Sequence, residues 1–266
     1  MVKRKSLIYY DWIIINSSAG KDSQAMLTYL STLAGNLIVK RRMVVVHCDL
    51  GDMEWPGVKE LAEEQAAHYK IRFEIVKRSQ GDLLTHVEKR GMWPSSTARY
   101  CTSDHKRGQV SRLITKLTDE SITSGINRKI RILNCMGMRA DESPARAKKK
   151  SFEVDKRNSN GKRAVFTWLP IHKWSEKMVW ALIKKSGVRS HYAYGLGMPR
   201  LSCAFCIFAP REALLLAGKH NPELLKRYVE VEKRINHTFR VKLSLAEIQK
   251  SLISGDKVGI IKNWVM

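Results

Sequence analysis

The sequence predicts an α/β fold: a mostly parallel sheet with helices on both faces, followed by a helical C-terminal extension. Three observations point there. Runs of β-branched and aromatic residues end in polar turns, stretches with apolar residues at helical spacing follow them, and the last part of the chain reads as helices.

Residues 7–16, LIYYDWIIIN, read as a buried strand ending at a turn. From Asp22 to about Leu33, the apolar residues Ala25, Met26, Leu30 and Leu33 fall at helical spacing. MVVVHCDLGD at 43–52 is a second strand ending in a polar loop, GVKELAEEQAAHY at 57–69 a second helix, and RFEIVKR at 72–78 a third strand. A helix near 106–117 leads to the apolar strand IRILNCMGMR at 130–139. Residues 146–163, rich in Lys and Arg, suggest an exposed loop that either orders on a polyanion or is simply solvated. Ser175 is a plausible N-cap for the next helix, and helices at about 222–235 and 244–252 follow. The α/β domain is expected at 1–210 and the helical extension at 211–266.

At 266 residues the chain is long enough to bury a sizeable core. Its 48 Lys and Arg outnumber 25 Asp and Glu, and the resulting net charge of +23 is spread along the whole chain. Such a field favours polyanions; a basic protein without a polyanion partner is the alternative. No apolar run approaches the roughly 18 residues that span a bilayer, which argues against a membrane protein. The start has the basic, apolar and small-residue order of a leader, but Asp11 breaks its apolar part, so none is expected. Five cysteines with one Cys-x-x-Cys pair do not suggest a secreted disulfide framework; they point to a reducing cytoplasm and to metal binding.

Ser18-Ala19-Gly20-Lys21-Asp22-Ser23 lies between a predicted strand and a predicted helix, where backbone N–H groups and the helix dipole favour an anion. Small residues let the backbone approach phosphate, Lys21 adds charge, and the Ser18 and Ser23 hydroxyls can donate. A carboxylate at Asp22 beside a phosphate cradle makes sense with Mg²⁺ between them. The pattern is neither the Walker A sequence nor Gly-x-Gly-x-x-Gly.

SAGKDS resembles the PP-loop, usually Ser-Gly-Gly-x-Asp-Ser, of the ATP pyrophosphatases and of the phosphoadenosine phosphosulfate (PAPS) reductase family. Ala19 replaces the first glycine, a mild departure provided the backbone there does not need a positive φ. VHCDLGDMEWPG at 46–57 resembles the segment that lines the nucleoside pocket, which makes Asp49, Gly51 and Glu54 candidates to contact the adenosine end or a metal. MGMRADESPAR at 136–146 resembles the family's Gly-x-Arg-x-x-Glu-Ser-x-x-Arg segment. It implies roles for Gly137 in nucleotide binding and for Arg139 and Arg146 on phosphate or sulfate, where a guanidinium fork suits. Glu142 could instead pair with either arginine.

Cys203-x-x-Cys206 has a spacing that lets two thiolates reach one metal, or it is a buried apolar segment with inert thiols. CTSDHKRGQV at 101–110 resembles the family's Cys-containing segment, so Cys101 joins the candidates. By resemblance, three thiolates hold a [4Fe–4S] cluster with one open iron; alternatively, His105 completes a Cys₃His Zn²⁺ site, or Cys48 or Cys135 supplies a fourth ligand. The resemblance further implies an ATP pyrophosphatase similar to the DNA phosphorothioation sulfurtransferase proteins, using ATP and Mg²⁺. It would adenylylate a nucleic-acid acceptor, DNA rather than tRNA, for sulfur supplied by a donor such as a cysteine desulfurase. Lys21, Asp22, Arg139 and Arg146 would act in catalysis. The alternatives are a sulfonucleotide reductase using an external thiol, which the lack of a cysteine after Cys206 disfavours, and a nucleotide-sensing nucleic-acid binder.

Overall fold

The computed structural model describes residues 6–261 and 264; the basic start read above against a leader lies partly outside them, at residues 1–5. In chain order the elements are β1 (Trp12–Ser17), α1 (Lys21–Ala34), α2 (Leu37–Lys40), β2 (Met43–Cys48), α3 (Val58–His68), β3 (Arg72–Val76), α4 (Leu83–Arg90), α5 (Tyr100–Thr102) and α6 (Gly108–Thr123). They continue with β4 (Ile130–Met136), α7 (Pro144–Ala147), β5 (Phe152–Val154), β6 (Arg163–Trp168), α8 (Glu176–Ser186), α9 (Arg211–His220), α10 (Pro222–Arg234) and α11 (Leu245–Ile253). They gather into two compact units. The first holds the described residues up to Cys48, Val58–Val76 and Gly108–Ser190; the second holds Asp49–Gly57, Lys77–Arg107 and the described residues from His191 onward.

The first unit is built on a six-stranded sheet of order β3-β2-β1-β4-β6-β5, parallel except for the antiparallel β5 at its edge. Alternation along β1 sends Ile13 and Ile15 to one face, against Met26 and Leu30 of α1, Ala66 of α3 and Val179 and Ile183 of α8. Ile14 faces the other way, against Val110, Leu113, Ile114 and Leu117 of α6. Helices therefore cover both faces, as the near-continuous apolar strands require. The chain leaves β1 toward β2 and β3, then returns to β4 on the other side, so the strand order reverses between β1 and β4. Open α/β sheets bind ligands at the carboxyl ends of the strands flanking such a switch point.

Three sequence expectations need adjusting. Residues 7–9 form a 3₁₀ turn and β1 starts only at Trp12, because Asp11 is a hinge: its carboxylate accepts from the Arg131 amide at 2.8 Å and pairs with Arg128. The second strand stops at Cys48. The basic segment 146–163 contains β5, which pairs with β6 and stacks Phe152 on Phe166 at 5.8 Å. Ser175 does cap α8, accepting from the Met178 amide at 3.3 Å.

In the second unit Trp93 stacks on Tyr228 of α10 at 5.3 Å and Phe205 packs on the same ring at 4.9 Å. Through Trp93 the helical segment is thus joined to the Lys77–Arg107 excursion, which precedes it in sequence. Gly218 lets α9 approach its neighbours: a Cβ there would lie 2.8 Å from both Leu225 and Leu252. Among the described residues no helix is long and apolar enough to cross a membrane.

Candidate functional site

β1 and β4 are tied at their carboxyl ends by Asn16, whose amide donates to Asn134 Oδ1 at 2.6 Å and to the Cys135 carbonyl at 2.8 Å. The chain then turns through Ser18, Ala19 and Gly20 into α1. Gly20 is the N-cap, with φ −76° and ψ 159°, and has no side chain with which to cap the helix. A helix start of this kind is suited to an anion. The Ser23 hydroxyl braces the turn, donating to the Gly20 carbonyl at 2.9 Å and accepting from the Ser18 amide at 3.2 Å. The Ala19 amide donates to Ser17 Oγ at 3.2 Å. Ala19 is fully buried with φ at 54°, so the position does need a positive φ and the departure from glycine is not mild. A left-handed residue with a Cβ costs roughly 1–2 kcal/mol.

Gly137, just past β4, explains how the second segment reaches the turn. A Cβ there would meet the Asp22 carbonyl oxygen at 2.8 Å and the Ser23 amide nitrogen at 3.0 Å, so the absence of a side chain lets β4's extension abut the first turn of α1. Two residues later Arg139, 3% exposed, donates from Nε to Asp22 Oδ1 at 2.5 Å and also bonds Asp141. Its other terminal nitrogen lies 3.8 Å from Glu176, and Lys21, 4% exposed, lies 3.7 Å from the same carboxylate. Burial raises the pKa of Asp22, with Lys21 and Arg139 pulling against it and Glu142 adding to it. Glu142 caps this segment, accepting from the Arg139 amide at 2.9 Å while it pairs with Arg146.

Lys21, Asp22, Gly137 and Arg139 are therefore brought together, and Arg146 joins them through Glu142. Asp141 and Glu176, half-exposed partners of buried cations, were not picked out from sequence. No local pattern marks Glu176, which begins a helix far along the chain. Gln24 was also missed: its amide holds the carbonyls of Val188 and Arg189 at 2.9 and 3.0 Å.

In the second unit, Asp49, Gly51 and Glu54 form a self-braced loop. Asp49 Oδ1 accepts from the Gly51 amide at 2.8 Å, Glu54 accepts from the Leu50 amide at 3.4 Å, and Gly51 takes φ 69°. Added atoms at Gly51 would strike Asp82 at 2.7 Å, so glycine is needed there on two counts.

The thiols of Cys101, Cys203 and Cys206 lie in the same unit, within electrostatic reach of one another. Burial pushes the Cys203 thiol up to about 12, against the pull of Lys106, and raises Cys206 as well. Among the described residues no three His, Cys, Asp or Glu side chains gather as a site for a metal ion. The donor set is all thiol, which suits iron–sulfur and zinc chemistry alike. His105 Nε2 lies 3.0 Å from His86 Nδ1, while its buried Nδ1 has no hydrogen-bond partner among the described residues. Cys48 and Cys135 sit in β2 and β4, and Cys135 belongs to the core.

Among curated proteins the chain is 29% identical over 187 residues to an uncharacterised 37.8 kDa protein of Escherichia phage 186, covering 68% of this chain and 53% of that one. It is 26% identical over 220 residues to an uncharacterised protein of Methanocaldococcus jannaschii, covering 83% and 47%. The chain thus spans about half the length of the curated relatives it matches. The crystal structure of phosphoadenylyl-sulfate reductase from Candida auris, a phosphate complex, is similar with a TM-score of 0.50 and 17% identity, covering 74% of this chain and 84% of that one. At that identity the likeness speaks for the fold. The sequence profile of the phosphoadenosine phosphosulfate reductase domain matches residues 12–209, and the chain belongs to that family.

Proposed function

We propose that the chain is an ATP pyrophosphatase that holds ATP phosphates on the Ser18–Ser23 turn and adenylylates an acceptor on a nucleic acid, DNA rather than tRNA, for sulfur transfer. The observation that carries this reading is the convergence of a helix start without a side-chain cap and two buried cations, Lys21 and Arg139, at the switch point of the sheet. An oxygen of the acceptor forms a bond to the α-phosphorus, the bond from that phosphorus to the bridging oxygen breaks, and pyrophosphate leaves with the electron pair. A sulfur nucleophile, supplied as persulfide by a donor such as a cysteine desulfurase and brought to the sulfide level by two electrons from an external thiol, then bonds to the acceptor atom that carried the adenylylated oxygen. The bond from that atom to the oxygen breaks, and AMP leaves with the oxygen and the electron pair.

Lys21 and Arg139 offset charge developing on the phosphates, exchanging Glu176 and Asp141 for phosphate oxygens. Asp22 offers a carboxylate oxygen to Mg²⁺, a hard cation usually held by one or two carboxylates together with substrate phosphates. Arg146 is assigned to phosphate, and Asp49, Gly51 and Glu54 to the adenosine end. Cys101, Cys203 and Cys206 would hold a [4Fe–4S] cluster, which supplies an iron able to carry sulfur. Iron, sulfide and zinc analysis of anaerobically purified protein tests that assignment, and metal-free protein would remove it.

Incubated without oxygen with labelled ATP, Mg²⁺ and DNA or tRNA, the protein should release pyrophosphate. Lys21→Ala should cut the rate by about 10²–10³-fold, the usual cost of removing one preorganised charge-stabilising group; release at the wild-type rate would sink the assignment. The family match favours a second reading, sulfonucleotide reduction. Sulfite release from PAPS with no pyrophosphate under any condition would establish it instead.

A further inference from the structure

Deepening that reading and resting on it, we propose that Lys148, Lys149 and Lys150 dock the phosphate backbone of the nucleic acid that carries the acceptor. Strand directions place them. β6 runs parallel to β4, with Trp168 beside Cys135, and antiparallel β5 sets Phe152 beside Trp168. Phe152 is therefore at the carboxyl end of the sheet, the end at which β1 delivers the Ser18–Ser23 turn. The three lysines follow α7, which carries Arg146, and are separated from β5 by Ser151 alone.

All three are exposed, and among the described residues their ammonium groups have no hydrogen-bond or ion-pair partner. Several arginines of this unit are matched, Arg72 with Glu74 and Glu120, Arg128 with Asp11 and Arg189 with Glu64. What sets the three lysines apart from its other lysines is their place, three in a row at the carboxyl end of the sheet beside α7. The backbone beneath the lysines is anchored on both sides. The Lys149 amide donates to the Arg146 carbonyl at 3.0 Å, His172 Nε2 donates to that same carbonyl at 3.0 Å, and the Leu169 amide donates to Ser151 at 2.8 Å. Three unmatched point charges on a fixed segment suit a run of phosphates, each of which releases a counterion on contact.

An edge strand also attracts lysines as protection against sheet-to-sheet pairing, and the hairpin supplies an internal control. Lys156, Arg157 and Lys162 lie at its other end, where the Asp155 amide meets the Val165 carbonyl at 2.9 Å. Removing three charges there changes net charge equally but at the amino end of the sheet.

The full chain is compared with Lys148→Ala/Lys149→Ala/Lys150→Ala and with Lys156→Ala/Arg157→Ala/Lys162→Ala. Binding of a labelled DNA duplex and of tRNA is followed across salt, alongside binding of a fluorescent ATP analogue, pyrophosphate release and sedimentation with anionic vesicles. The first triple variant should lose at least about tenfold in nucleic-acid affinity, with a salt slope shallower by about 2–3, unchanged ATP-analogue binding and a smaller loss in the second variant. Equal losses in both variants, aggregation with unchanged affinity, or binding to vesicles but not to nucleic acid would each overturn the proposal. Site-specific loss of binding in a protein that never releases pyrophosphate would uphold the docking surface and refute the adenylylation reading.

Discussion

Gly137→Ala tests whether the close approach of β4's extension to α1 positions the Ser18–Ser23 turn. The new methyl would lie 2.8 Å from the Asp22 carbonyl oxygen, 2.9 Å from its carbon and 3.0 Å from the Ser23 nitrogen, where ordinary contact begins at 3.4 Å. These are backbone atoms of a helix start and cannot rotate away, so the two segments must separate by about half an ångström. Overpacking of this kind costs about 1–3 kcal/mol, a fall in Tm of roughly 3–10 °C for a chain of this size. The displacement falls on the turn proposed to hold phosphate, and since a 1 Å misplacement costs about 10²-fold, half of that should cost about tenfold in turnover. Scanning calorimetry reads the first effect, and pyrophosphate release with titration of a non-hydrolysable ATP analogue the second. Gly161→Ala, where a Cβ meets nothing within 4 Å, should be silent in all three. Wild-type turnover and affinity with an unshifted Tm in Gly137→Ala would refute the positioning argument.

Ala19→Gly removes a Cβ from a residue with φ 54°, a relief of roughly 1–2 kcal/mol opposed by about 0.5–1 kcal/mol of unfolded-chain entropy. Stability should rise by up to about 1.5 kcal/mol in urea melts, whereas Ala19→Val should destabilise; equal stability of all three would contradict a left-handed backbone there. Burial, with His86 next, depresses the pKa of His105 from 6.5 to about 4. The unfolded chain therefore takes up the proton first, and stability present above pH 6.5 is lost as pH falls toward 4. His105→Gln should flatten that part of the urea-midpoint profile, and an unchanged slope would dismiss the role. Glu232 accepts from the amides of Phe239 at 2.5 Å, Leu245 at 2.9 Å and Ala246 at 3.3 Å. Glu232→Gln should cost about 2 kcal/mol by weakening these charge-assisted bonds, and a neutral result in thermal melts would show that the helical segment does not depend on them.

The alternation of strands and helices was legible because each element is specified by its own residues: β-branched runs, helical spacing and caps such as Ser175. The Ser18–Ser23 strand-to-helix turn was legible for the same reason, since strand end, small residues and helix start are contiguous. Residues 146–163 were misread because β5 is only three residues long and is held by β6 and the stacking of Phe152 on Phe166, a partner that periodicity within the segment cannot reveal. Ala19 shows a different limit: its residue type argues against positive φ, and the neighbouring anchors at Ser17 and Ser23 override that preference.

By itself, the sequence determined the net charge, the order of elements and the chemistry available at the turn. The tertiary structure decided that Asp22 is buried against Arg139, 117 residues away, that Glu176 lies beside both buried cations, and that Gly137 abuts α1. It also divided the chain into two units, each assembled from discontinuous segments. Capping, propensity and periodicity act over a few residues and can be read locally, whereas desolvation and pairing depend on which distant segments the sheet order brings together.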